Sequence, residues 1–266
     1  MNSNHSIIFT DPKTQESFDT YKDWHLVPDK MPIVTPPAQK TKFVDIPGAN
    51  GHIDMSDTLT GYPVFENRTG SFEFIVLNEF NEDLDDLDEN EWTDRFSDIM
   101  DFLHGKVMQM ILIDDPNFYY LGRITVSKLG PGESNSQLAF SYNLDPYKWK
   151  VIDTVEDWLW DPFDFENDYI DAGAYDITVD SSSYETFTFD KKYELSAPVI
   201  PVFRVTAMTS TITMEFINQS LGIDVTYPLS LGDNEFLDCI ITNTSNWVMK
   251  LKGTGTLSVV YRKGRL

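Results

Sequence analysis

The chain has 266 residues, 41% of them hydrophobic and 14% aromatic, which supplies one large core or two smaller ones and excludes global disorder. Forty-three acids against 20 bases leave a formal charge of −23. A surface that negative repels a phosphate backbone, so sequence-specific nucleic-acid binding is not expected. The one cysteine, Cys239, excludes an intrachain disulfide.

No apolar run approaches the ~18 residues that a membrane-spanning helix needs, so no membrane association is expected. The start, MNSNHSIIF, lacks the basic region and long apolar stretch of a signal peptide, and the chain is expected to be made in the cytoplasm.

Residues 1–41 open with a predicted short strand, SIIFT, and continue into proline-rich sequence. VPDKMPIVTPPAQK holds four prolines, each without an N–H donor, so 28–41 suits an extended arm. Such an arm is either pinned to its own domain or laid across a neighbour. KFVDIPGANGHIDMSDTLTG, 42–61, then reads as strands split by turns, with Gly48 and Gly51 able to take positive φ. It is not a phosphate loop. Neither GxxxxGK[ST] nor GxGxxG spacing is present, and no helix is predicted after it.

RTGSFEFIVLN alternates with period two, placing Phe72, Phe74 and Val76 on one face of a strand. EFNEDLDDLDENEW, 79–92, holds eight acids, read as a solvated loop leading into a helix. The helix is predicted over 92–104, where Trp92, Phe96, Ile99 and Phe102 or Leu103 form an apolar stripe. Gly105 is its natural C-terminal cap, flanked by His104 and Lys106.

KVMQMILID and FYYLGRITVSKL are predicted strands around a tight DDPN turn, and SQLAFSYNL, 136–144, is another. The acidic, aromatic stretch 151–171 reads as a link between domains. Beyond it, 172–266 shows eight short β segments at about ten-residue intervals, the pattern of a β-sandwich. The predicted fold is therefore mostly β. An N-terminal domain with one helix occupies 1–150, a linker 151–171, and a β-sandwich 172–266.

Catalytic and metal motifs fail on spacing. A calcium loop begun at Asp83 has Leu87 at its fifth position and Asp88 where glycine is required. His5, His25, His52 and His104 form no HExxH and have no cysteine pair to join. No GxSxG elbow is present, and 43 acids nominate no particular carboxylate pair for glycoside hydrolysis. No enzymatic role, cofactor or metal is expected. Cys239, in FLDCIIT, reads as a buried small hydrophobe. Trp247, with Tyr227 and Tyr261, offers flat faces for sugar stacking, against the ordinary role of strand aromatics in packing. The basic end, YRKGRL, is an ordinary terminus or a partner for an acidic patch on a second copy.

Taken in order, several segments carry a likeness. They are DIPG with GHIDMS (Asp45, Pro47, Gly48, Gly51, Asp54), NR before FEF (Asn67, Arg68), LHGK (His104, Gly105, Lys106), YYLGR (Gly122, Arg123) and PYK (Pro146, Tyr147). Over 42–150 the chain resembles the distal tail proteins of long-tailed, non-contractile bacteriophages. That resemblance implies an N-terminal ring-forming domain and a galectin-like C-terminal β-sandwich. It further implies a homo-hexameric ring in the virion, joining the tail tube protein to the baseplate hub and to receptor-binding or peripheral baseplate proteins. Ring closure would fall to the arm 28–41 and to a long hairpin that includes 107–128. The competing expectation is a carbohydrate-binding adhesion module that acts through the C-terminal sandwich.

Overall fold

The structure, a computed structural model, describes residues 4–76, 89–131, 136–151, 163–164, 169–170, 175–187, 197–219, 221–242 and 247–266. Up to the helix the elements are β1 (Ile7–Thr10), β2 (Ser17–Asp19), β3 (Leu26–Pro28), β4 (Phe43–Asp45), β5 (His52–Asp54), β6 (Arg68–Val76) and α1 (Glu89–Leu103). Then come β7 (Val107–Leu112), β8 (Phe118–Pro131), β9 (Ser136–Leu144), β10 (Lys148–Lys150), β11 (Phe163–Asp164) and β12 (Tyr169–Ile170). The last are β13 (Tyr175–Phe187), β14 (Val202–Asn218), β15 (Ile223–Pro228), β16 (Gly232–Glu235), β17 (Trp247–Val260) and β18 (Gly264–Arg265). The fold is mostly β with one helix among the described residues. It divides into two compact units, 1–39 with 65–151, and 40–64 with 152–266. The acidic run 79–88 and most of the stretch 151–171 lie outside the described residues.

The first unit is an antiparallel sheet in the order β2-β1-β7-β8-β9-β6-β3, with β10 added against β8. The period-two pattern of β6 sets its faces: Phe72, Phe74 and Val76 are buried, while Ser71 and Glu73 are exposed. Across the ladder Phe72 meets Phe140 and Phe74 meets Leu138. The sheet curls until its end strands are joined by one turn. There the Thr20 N–H donates to the Ile7 carbonyl, and the Leu26 N–H to the Thr20 carbonyl. Trp24, in that turn, stacks on Phe18 and Phe9 and meets Phe102 and Phe140 edge-on. The apolar stripe of α1 closes the core with Ile99, Phe102 and Leu103.

Sequence and structure part at two places here. The helix starts at Glu89, three residues before the predicted 92. The strands at 107–128 do not reach outward: β7 and β8 lie inside the sheet, paired to each other and to β1 and β9. Of the two placements open to the arm, pinned or laid across a neighbour, residues 31–35 take the first: Pro32 and Val34 are buried, and Met31, Ile33 and Thr35 face out.

In the second unit the strand order is β13-β17-β14-β15, with β16 also on β14. The predicted short segments fuse into long strands: two in β13, two in β14 and two in β17. The Ser, Thr and Gly runs that read as turns are bends within strands. Along β14 the partner register on β17 slips at three places between Val205 and Thr213. An odd number of slips inverts the parity of the buried residues. Phe203 and Val205 are buried before the bend, and Ile212, Met214, Phe216 and Asn218 after it. Gly255 permits the close approach, since a Cβ there would lie 2.3 Å from the Ala207 carbonyl oxygen. One of the eight predicted segments, EFLDCIITN from Glu235, is instead divided, into the end of β16, a turn, and an isolated bridge between Val199 and Ile241.

Candidate functional site

The sequence-predicted residues fall into two groups. Asn67, Arg68, His104, Gly105, Lys106, Gly122, Arg123, Pro146 and Tyr147 belong to the first unit, and their segments meet. Arg68 is 4% exposed; its Nε donates to the Pro146 carbonyl at 2.8 Å and its Nη1 to the Thr35 carbonyl at 3.2 Å. Its guanidinium lies 5.5 Å from the centroid of the Tyr120 ring. Burial lowers the Arg68 pKa, partly offset by Tyr120 and Tyr142. Arg68 thus ties the arm to the corner after β9. Tyr142 adds a second tie, its hydroxyl accepting from the Thr35 N–H at 3.1 Å.

Asn67 donates to the Asn143 side chain at 2.8 Å. Gly122 passes so close to β9 that a Cβ would lie 2.3 Å from the Asn143 carbonyl oxygen. Arg123 donates to the Gly105 carbonyl, joining YYLGR to LHGK. Gly105 takes φ +74 as the helix cap, and its N–H donates to the Ile124 carbonyl. His104 is exposed beside it. The Tyr147 ring packs edge-on to Phe65 at 6.0 Å.

Asp45, Pro47, Gly48, Gly51 and Asp54 form the other group, on the β4–β5 hairpin. Gly48 and Gly51 adopt φ +84 and +81 in its connection, a region closed to most side chains. The register pairs Phe43 with Asp54, Val44 with Ile53 and Asp45 with His52. Asp54 closes the root, accepting from both the N–H and the hydroxyl of Ser56, while Ser56 Oγ accepts from the Lys42 N–H. Those two bonds hold the Asp54 carboxyl below its usual range.

Every residue from 38 to 55 is exposed. Phe43 and Ile53 are each 49% exposed, and Val44, Ile46 and Met55 are exposed as well; Leu59 reaches 94%. A hairpin with apolar side chains on both faces and none of them buried is a surface built for contact. The sequence marked its turns but not its exposure.

A second surface was not foreseen. A cleft of about 640 Å³ opens in the first unit between 16–24 and 94–106. Phe18, Trp24 and Phe102 form its floor, with Phe18 stacked on Trp24 at 5.6 Å and edge-on to Phe102 at 4.7 Å. Glu16, Asp23, Asp94, Asp98 and Asp101 line it against two bases, Arg95 and Lys106. Its halves lie far apart in sequence, so no local motif announces it.

In the second unit Trp247 is half-buried, stacked at 6.1 Å on Phe216, and its Nε1–H donates to the Thr242 carbonyl. Tyr261 is buried. Tyr227 stacks on Phe236 at 4.0 Å and donates to Asp238, a bond that raises its pKa. Cys239 is buried, and desolvation with nearby Asp238 pushes its thiol up to about 12.

No family model and no curated protein matches the chain. Among solved structures it is similar to the one described as "Crystal Structure of SPP1 Dit (gp 19.1) Protein, a Paradigm of Hub Adsorption Apparatus in Gram-positive Infecting Phages". The match has a TM-score of 0.54 at 14% identity and covers 98% of this chain and 99% of that one. The fold is Dit-like. The coverage runs through both units, so the Dit-like arrangement of elements is not confined to the segment 42–150 where the sequence motifs lie.

Proposed function

We propose that the chain is a structural component of a bacteriophage tail tip, a homo-hexameric ring that joins the tail tube to the baseplate or receptor-binding apparatus in the virion. It acts without catalysis or cofactor, and its second unit is a galectin-like outer domain that faces peripheral components. The observation that carries this reading is the end-to-end Dit-like fold, joined to a hairpin whose apolar side chains lie open along 43–59. A closed ring needs two different, complementary surfaces on each subunit. We assign one of these surfaces to the exposed β4–β5 hairpin.

Electron micrographs of the purified protein test the reading. Particles averaging to six-fold rings are expected. Single particles with measurable glycan affinity would favour the adhesion alternative instead.

A further inference from the structure

The chain holds one Asn-Gly pair, Asn50–Gly51, and it falls in the connection between β4 and β5. Asparagine is thermolabile through its own backbone: the nitrogen of the next residue attacks the side-chain amide carbon. Glycine, with no Cβ, shields that nitrogen least.

A fold slows this reaction by holding the amide and the attacking N–H in hydrogen bonds, or by packing the peptide so that the ring cannot close. Neither restraint acts at Asn50. Both residues are exposed. Among the described residues, neither the Asn50 side-chain amide nor the Gly51 N–H takes part in a hydrogen bond. The bond that closes the connection, from the Ala49 N–H to the Ile46 carbonyl, stops one residue short. Gly51 has φ +81, and a Cβ built on it would meet nothing within 4 Å, so that side of the peptide is open to water. Other asparagines are held. Asn67 donates to the Asn143 side chain, and the Asn234 amide donates to the Phe203, Ser230 and Gly232 carbonyls.

We propose that Asn50 deamidates spontaneously in free subunits and that the product removes them from assembly. The Gly51 nitrogen gives its proton to water and bonds to the Asn50 Cγ. The bond from Cγ to the side-chain nitrogen breaks, that nitrogen takes up a proton, and ammonia leaves a closed succinimide. Water then adds across one of the two ring C–N bonds. One opening leaves an aspartate; the other leaves an isoaspartate, whose main chain runs through the side-chain carbon. The isoaspartate lengthens the connection by one main-chain atom and so disturbs the pairing of Asp45 with His52. Either product adds a carboxylate to the contact hairpin of a chain already at −23. The effect on assembly rests on the ring reading; the reaction does not.

The test is peptide mapping of the native protein held at mildly alkaline pH, with isoaspartate counted by an isoaspartyl methyltransferase. Conversion at Asn50 is expected within tenfold of the rate in the free tryptic peptide 43–68. Conversion slower than that means that the hairpin holds the amide, and it overturns the site. Asn50→Gln moves the amide one methylene away from the nitrogen and should stay unconverted.

Aged wild-type protein should assemble at least tenfold more weakly than fresh protein, whereas aged Asn50→Gln should assemble as fresh protein does. Equal assembly by aged and fresh wild type overturns the effect on assembly. Fresh wild-type protein that stays monomeric overturns the ring reading instead, and the conversion rate still decides the site.

Discussion

Arg68 shows what a single side chain does for this fold. It is buried, and its guanidinium spans two carbonyls that belong to separate segments, Thr35 in the arm and Pro146 after β9. Arg68→Ala strands both acceptors and opens a void, so a loss of about 2–4 kcal/mol is expected in urea unfolding of the whole chain. A loss below about 1 kcal/mol would show that water replaces the guanidinium without cost. Cys239 makes the opposite kind of claim. A thiol raised to about 12 keeps almost no thiolate at neutral pH. Iodoacetamide is expected to spare it in the native protein and label it in denaturant; rapid native labelling contradicts the burial.

At the scale of elements, the hairpin β4–β5 separates stability from assembly. Val44 and Ile53 pair across it and are both exposed in the single chain. Val44→Asp with Ile53→Asp should therefore change the melting temperature little, as exposed substitutions usually do, while abolishing the oligomer. A large fall in melting temperature would mean that the hairpin is part of a core. The same element shows where sequence reading stops. KFVDIPG and GHIDMS alternate as half-buried strands do, and alternation does not reveal whether the covering surface belongs to the same chain or to another.

β6 and β9 were legible because their apolar face is buried within their own sheet, so period two maps directly onto burial. The bends of β14 and β17 were not. Ser, Thr and Gly in mid-strand signal a turn equally well, and only the cross-strand register shows the strand continuing through them. The motif segments NR, LHGK, YYLGR and PYK were visible as separate pieces. Their convergence through Arg68, Arg123 and Gly122 comes from pairings 18 to 78 residues apart in the chain, which no local pattern encodes.

At the scale of the molecule, the charge of −23 opposes any assembly of identical copies. Apolar contact from the hairpin has to exceed that repulsion. Moving from low salt to about 0.15 M shortens the Debye length to ~8 Å and should favour the oligomer, because repulsion between distant surfaces is screened more than a close contact. Weaker assembly over that range would mean that attraction between exposed charges dominates.

The mass of the purified protein in solution, measured by light scattering at several concentrations near physiological salt, tests the ring most directly. A closed species near six times the 30.5 kDa chain mass is predicted, unchanged as concentration rises further. A clean monomer at the highest concentration would contradict a ring that closes on its own surfaces.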